Sequence, residues 1–106
     1  MNILVMIDAE GLGGIFMNEQ VDSSHPLYGE CRRYMTRQLN ELAAGFKDAG
    51  VDKVFARDCH GKACSLLWDE ISPDVDRVIL GDCGSVRMPH IQETDAVALM
   101  GYHAMA

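Results

Sequence analysis

Positive charge is in short supply in this sequence. Nine lysines and arginines face sixteen aspartates and glutamates, a formal net charge of −7. A nucleic-acid partner is disfavoured, because phosphate contacts need a basic patch. An anionic membrane surface is disfavoured for the same reason. Long hydrophobic runs are missing too, and none approaches the ~20 residues that a bilayer span needs. The first residues carry no basic n-region and no secretory pattern, so the default expectation is a cytoplasmic protein. CxxC pairs are absent. Cys31, Cys59, Cys64 and Cys83 stand apart, which in a cytosolic chain points to reduced thiols rather than disulfides. There is no internal repeat and no low-complexity segment. With 106 residues the chain is read as one domain, 1–106, with room for a single core.

What the sequence does have is a repeated layout. The apolar run Ile3-Leu4-Val5-Met6-Ile7 leads into Asp8-Ala9-Glu10-Gly11. Val54-Phe55-Ala56 leads, past Arg57, into Asp58-Cys59-His60-Gly61, and Val97-Ala98-Leu99-Met100 into Gly101-Tyr102-His103-Ala104. Each run delivers metal-ligand side chains at its C-terminal end. Carboxylates at the end of a buried strand must be paired, protonated or bound to a metal.

Residues 3–7 fit a strand buried on both faces. Residues 9–25, with three glycines, read as a long loop, and loops of that length are usually functional. Pro26 suits the first turn of a helix. Cys31, Met35, Leu39, Leu42, Phe46 and Ala49 then form one apolar stripe, and Gly50 is placed to stop the helix in the left-handed conformation. Residues 51–56 read as the second strand. A short helical stretch is expected over 65–71, ended near Pro73, with Trp68 filling core space against the sheet. Residues 77–80 and 96–100 read as further strands, and 90–94 as a turn or short helix. Strands alternating with helices predict an α/β fold with a mostly parallel sheet and flanking helices. Ligands in such folds bind beyond the C-terminal ends of the strands, where Asp8, Glu10, Asp58, His60 and His103 all fall.

Taken singly, each of these residues has an ordinary explanation: Asp8 caps a loop, and His60 is a satisfied surface histidine. Taken together, three strand ends point to a metal site. Imidazole with carboxylate favours zinc or a similar transition metal over magnesium, and two histidines with two or three acids suffice for a two-metal site. The Gly11-Leu12-Gly13-Gly14 loop is not a dinucleotide fingerprint, since Phe16 stands where the third glycine is needed and two carboxylates occupy the pyrophosphate position. His25 and His90 read as exposed loop histidines. A thiolate site of Cys59, Cys64 and Cys83 with His60 matches no zinc-ribbon or finger spacing. Lys62 reads either as solvated or as the holder of a substrate carboxylate.

The ordered set Asp8-Ala9-Glu10-Gly11, Asp58-Cys59-His60-Gly61 and Gly101-Tyr102-His103-Ala104 resembles the zinc-dependent D-aminopeptidases of the dipeptide-permease operon type, along the whole chain. Val21-Asp22-Ser23 and Arg33-Tyr34-Met35-Thr36 are similar to that family as well. The resemblance implies a two-zinc centre in which Asp8 bridges, Glu10 and His60 complete one site and His103 belongs to the other. Asp58 is then the acid behind the ligands that orients the loop. It implies hydrolysis of N-terminal D-amino acids from short peptides, and homo-oligomeric rings. In that family the remaining glutamate ligand and the catalytic histidine lie downstream of the Gly-Tyr-His segment, so their counterparts would fall beyond Ala106. The chain is therefore expected to be the N-terminal part of such an enzyme, incomplete by itself, with an apolar tail at 104–106. Two other functions are weighed: a non-catalytic metal-binding or assembly module, and a magnesium-dependent phosphotransferase of the haloacid-dehalogenase type. The latter also has an acid-x-acid pair after its first strand, but its second acid is usually an aspartate followed by Gly-Thr.

Overall fold

The computed structural model describes residues 1–104; Met105 and Ala106, the end of the expected apolar tail, lie outside them. Four strands, β1 (Asn2–Ile7), β2 (Lys53–Asp58), β3 (Arg77–Ile79) and β4 (Ala96–Met100), form one parallel sheet in the order β3-β2-β1-β4. β1 is central, and its Leu4, Val5 and Ile7 are fully buried, each contributing about 1.5–3 kcal/mol of apolar burial. The register pairs Ile7 with both Asp58 and Met100. The three ligand-bearing loops therefore leave the sheet at one level.

The helix α1 (Tyr28–Asp48) covers one face. Cys31, Met35, Leu39 and Ala43 are fully buried against Val5, Ile7, Val54 and Ala56. Leu42 and Phe46 sit at the flank of this stripe, and Ala49 is exposed as the residue that ends the helix. Gly50 follows at φ +93°, as the stop signal requires. The helix begins two residues after Pro26, because the Tyr28 N–H donates to the His25 carbonyl and the Leu27 N–H to the His25 ring.

The stretch after β2 is not a second α-helix but a single 3-10 turn, Trp68–Glu70. Side chains have taken its backbone donors. Ser65 and Leu66 N–H donate to the Asp58 carboxylate, Leu67 N–H to Thr36 Oγ1 and Ser72 N–H to Asn40 Oδ1. Leu66 fills the core place, and Trp68 is turned out at 75% exposure, contrary to the sequence expectation. His90 is also not an exposed loop residue. It is half-buried in the left-handed conformation and stacks on Phe55 with ring centroids 5.1 Å apart, helping to cover the second face of the sheet.

Candidate metal centre

The site is assembled at the outgoing edge of the sheet. Asp8 N–H still donates to the Met100 carbonyl, and Gly11 N–H donates to the Gly101 carbonyl. The turn after β1 thus lies directly against the turn after β4. Two glycines permit this approach. A Cβ on Gly11 would stand 2.6 Å from the Tyr102 carbonyl oxygen, and one on Gly101, at φ +71°, would collide with the Asp8 carbonyl. Only residues without a side chain fit there.

Asp8 is buried and central. Its Oδ1 accepts from Ala9 N–H at 2.7 Å and from His60 Nδ1 at 3.0 Å, while its Oδ2 faces His103 Nε2 at 3.8 Å. Glu10 Oε1 lies 3.4 Å from His60 Nδ1, and Glu10 Oε2 is buried with no hydrogen-bond partner. Burial pushes the Asp8 carboxyl up, but the His60 and Ala9 hydrogen bonds outweigh it and hold Asp8 below its ordinary value. The same Asp8 contact raises His60 to about 9. Without a metal, the imidazolium is the cation that answers the paired acids.

Both histidines are oriented from behind. A carbonyl oxygen can only accept, so the 2.8 Å contact between His60 Nε2 and the Val21 carbonyl fixes the proton on Nε2. His103 Nδ1 likewise donates to the Ala104 carbonyl at 3.0 Å. The remaining nitrogens, His60 Nδ1 and His103 Nε2, face the carboxylates. Carbonyl-fixed imidazoles of this kind are the usual companions of metal ligation. The Ala104 carbonyl, and then the Glu10 and Asp8 charges, push His103 above its ordinary value.

Asp58 does not face the cluster. It is fully buried, and its carboxylate accepts the backbone N–H groups of His60, Ser65 and Leu66. The long loop is ordered by another side chain. Gln20, also buried, accepts from Phe16 and Met17 N–H and donates to the Gly14 carbonyl and Glu30. That arrangement brings the Val21 carbonyl to His60. Gln20 belongs to no motif, and Val21 stands out in the sequence only within the Val21-Asp22-Ser23 resemblance, which says nothing of its carbonyl.

Donor atoms of Asp8, Glu10 and His103 lie within 4.8 Å of one another, the one such group of three among the described residues. His60 joins from the other side of Asp8. The orphaned Glu10 oxygen, two acids and two imidazoles whose outward nitrogens hold their protons fit a divalent transition metal of the zinc type. The cysteine alternative does not form: Cys64 is exposed, and Cys59 lies against Arg57.

Comparison with known proteins shows the family. The family Peptidase_M55, described as D-aminopeptidase, matches residues 1–106. A D-aminopeptidase of Bacillus subtilis (strain 168) is 32% identical over 108 residues, covering 100% of this chain and 39% of that protein. Among solved structures, the zinc-dependent D-aminopeptidase DppA from Bacillus subtilis, described as a self-compartmentalizing protease, superposes with a TM-score of 0.92 at 28% identity. That match covers 100% of this chain and 39% of the other. The chain thus spans well under half the length of these relatives.

Proposed function

This chain belongs to the D-aminopeptidase family, and from that premise we propose that residues 1–106 are the N-terminal, metal-binding part of a zinc aminopeptidase removing N-terminal D-residues from short peptides. The observation that carries the reading is the convergence of Asp8, Glu10, His60 and His103 from three strand ends, with a buried Glu10 oxygen left unpartnered. Asp8 presents one oxygen to each histidine, as a carboxylate between two ions would. The family resemblance would place Glu10 and His60 on one ion and His103 on its neighbour, with Glu10 within reach of both histidines. Zinc, when bound, supplies Lewis-acid activation of the scissile carbonyl and of water at neutral pH.

The chain's own residues do the positioning. The Val21 carbonyl keeps the proton of His60 on Nε2, so Nδ1 is available to a cation once its own proton has left. Asp58 holds the His60 loop through three backbone N–H groups. The acids make the site negative, which suits the ammonium group of a peptide's amino end. The catalytic histidine expected from the family would lie beyond Ala106, and no residue in 1–106 is assigned that role. A homo-oligomeric, cytoplasmic protein is part of the same reading; the self-compartmentalizing neighbour supports the assembly.

The test is zinc content after dialysis, together with hydrolysis of D-alanyl peptides by the full-length protein. We expect retained zinc, and release of D-alanine that Asp8→Ala lowers at least about 100-fold with loss of metal. Release of phosphate from phosphomonoesters with magnesium, and no peptide cleavage, would overturn the reading. Tight zinc binding without any peptidase activity would instead favour the non-catalytic module.

A further inference from the structure

Three of the chain's nine basic residues, Arg57, Lys62 and Arg87, line one cavity of about 490 Å³. Such a gathering is unexpected in a chain of net charge −7. The cavity sits at the same outgoing edge as the metal-ligand cluster, over the ends of β2 and β3. The Gly81 N–H donates to the Ala63 carbonyl at 2.7 Å, tying the loop after β2 to the loop after β3. This brings Arg87, distant in sequence, to the side of Arg57 and Lys62.

The three cations are unanswered. None of them makes an ion pair among the described residues. Arg57 Nε is buried without a hydrogen-bond partner, and an Arg57 Nη lies 3.8 Å from the Cys59 sulfur, a poor acceptor for a guanidinium. Against these three cations the lining sets two acids, Asp58 and Asp82, which leaves one positive charge in excess. Asp58 is fully buried and committed to three backbone N–H groups, and one oxygen of Asp82 is committed to the Gly84 N–H. Three cations around open space make a receptor for a carboxylate, which a guanidinium takes in bidentate fashion.

The distance along the chain is short. Gly61, next to His60, lines both this cavity and a second one of about 350 Å³ that His60 itself lines, as does Lys62. An extended dipeptide spans about 7 Å, a reach of a residue or two of backbone. We propose that the Arg57–Lys62–Arg87 cavity holds the C-terminal carboxylate of the short peptide whose amino end lies at the Asp8–Glu10 pair. The proposal rests on the aminopeptidase reading and narrows it: the substrates are short peptides with a free C-terminal carboxylate, not amides or protein N-termini.

The test compares D-alanyl-D-alanine with its C-terminal amide on the zinc-loaded full-length protein, alongside calorimetric binding of N-acetyl-D-alanine and its amide, which are not substrates. One charge-assisted contact of 1.5–3 kcal/mol corresponds to roughly 10- to 150-fold in affinity. We expect at least about tenfold higher kcat/KM for the acid, carried by KM, and N-acetyl-D-alanine bound more tightly than its amide. Lys62→Met and Arg87→Met, both exposed positions, should erase most of that preference, by raising KM for the acid, and leave the melting temperature unchanged. Equal rates on acid and amide would overturn the proposal and leave the aminopeptidase reading standing. Acid-selective binding lost in both variants, with no peptide hydrolysed, would sustain the cavity and sink the peptidase. The α-amide of D-alanyl-D-aspartate separates the two sources of a carboxylate: if it matches the free acid, the cavity reads a side chain and the C-terminal assignment fails.

Discussion

Asp58 and Glu10 are both acids near a strand end, yet their surroundings are opposite. Three backbone N–H groups point at the Asp58 carboxylate, whereas one oxygen of Glu10 meets no donor at all. Hydrogen bonds to a charged acceptor are worth about 1.5–3 kcal/mol each, so Asp58 is a structural anchor and Glu10 a group that waits for a cation. Asp58→Ala strands three backbone donors and should cost about 3–5 kcal/mol in urea denaturation. It should also weaken zinc binding through the displaced His60, although Asp58 faces no ion. A stability loss below about 1 kcal/mol would contradict this. The sequence marked Asp58 as an acid behind the ligands only through the family resemblance; its three backbone partners come from residues up to eight positions away. The spacing of Asp8, Glu10, His60 and His103 was legible because each follows an apolar run. The Val21 carbonyl was not, since any residue could supply it.

At the level of elements, β2 and the segment leading into β3 are held by a polar clamp. Asp76 Oδ2 accepts from Val54 N–H and from Lys47 Nζ, each at 2.8 Å, and Lys47 also donates to the Asp52 carbonyl. One carboxylate therefore ties the end of α1, the start of β2 and the approach to β3. Lys47, then the Val54 N–H, hold the Asp76 carboxyl below its ordinary value. A carboxyl depressed in the folded state stabilises above its unfolded pKa of about 4, and the contribution fades as pH falls through the folded value. Asp76→Asn should thus cost about 0.5–1 kcal/mol at pH 7, modest because the pair is partly exposed. The difference from the parent should shrink steadily as pH falls below about 4 in thermal melts. A difference that did not shrink with falling pH would point to packing instead of charge. Among the elements, the four strands and α1 were readable from apolar runs and the 3.6-residue stripe. The stretch at 65–71 was not, because Leu66, Leu67 and Ile71 mimic a helical face while distant side chains take the backbone donors. Trp68 consequently points outward.

For the molecule as a whole, the parallel sheet converts order along the chain into proximity. Asp8 and His60 are 52 residues apart and Asp8 and His103 farther still, yet all leave strands paired at one level. No helix among the described residues is long and apolar enough to cross a membrane. If the full-length protein assembles as its self-compartmentalizing neighbour does, mass photometry should find a discrete homo-oligomer at micromolar concentration. A strictly monomeric species that still cleaves peptides would remove the compartment from the proposed function and leave the metal site untouched. The amino-acid sequence by itself determined the elements and the class of ligand at each strand end, because apolar periodicity and residue chemistry are local properties. Tertiary structure alone decided which of these ends met, which nitrogen of each histidine turned inward, and that Arg57, Lys62 and Arg87 share a cavity. Those outcomes depend on strand order, on two glycines that let turns touch, and on hydrogen bonds between residues far apart in the chain.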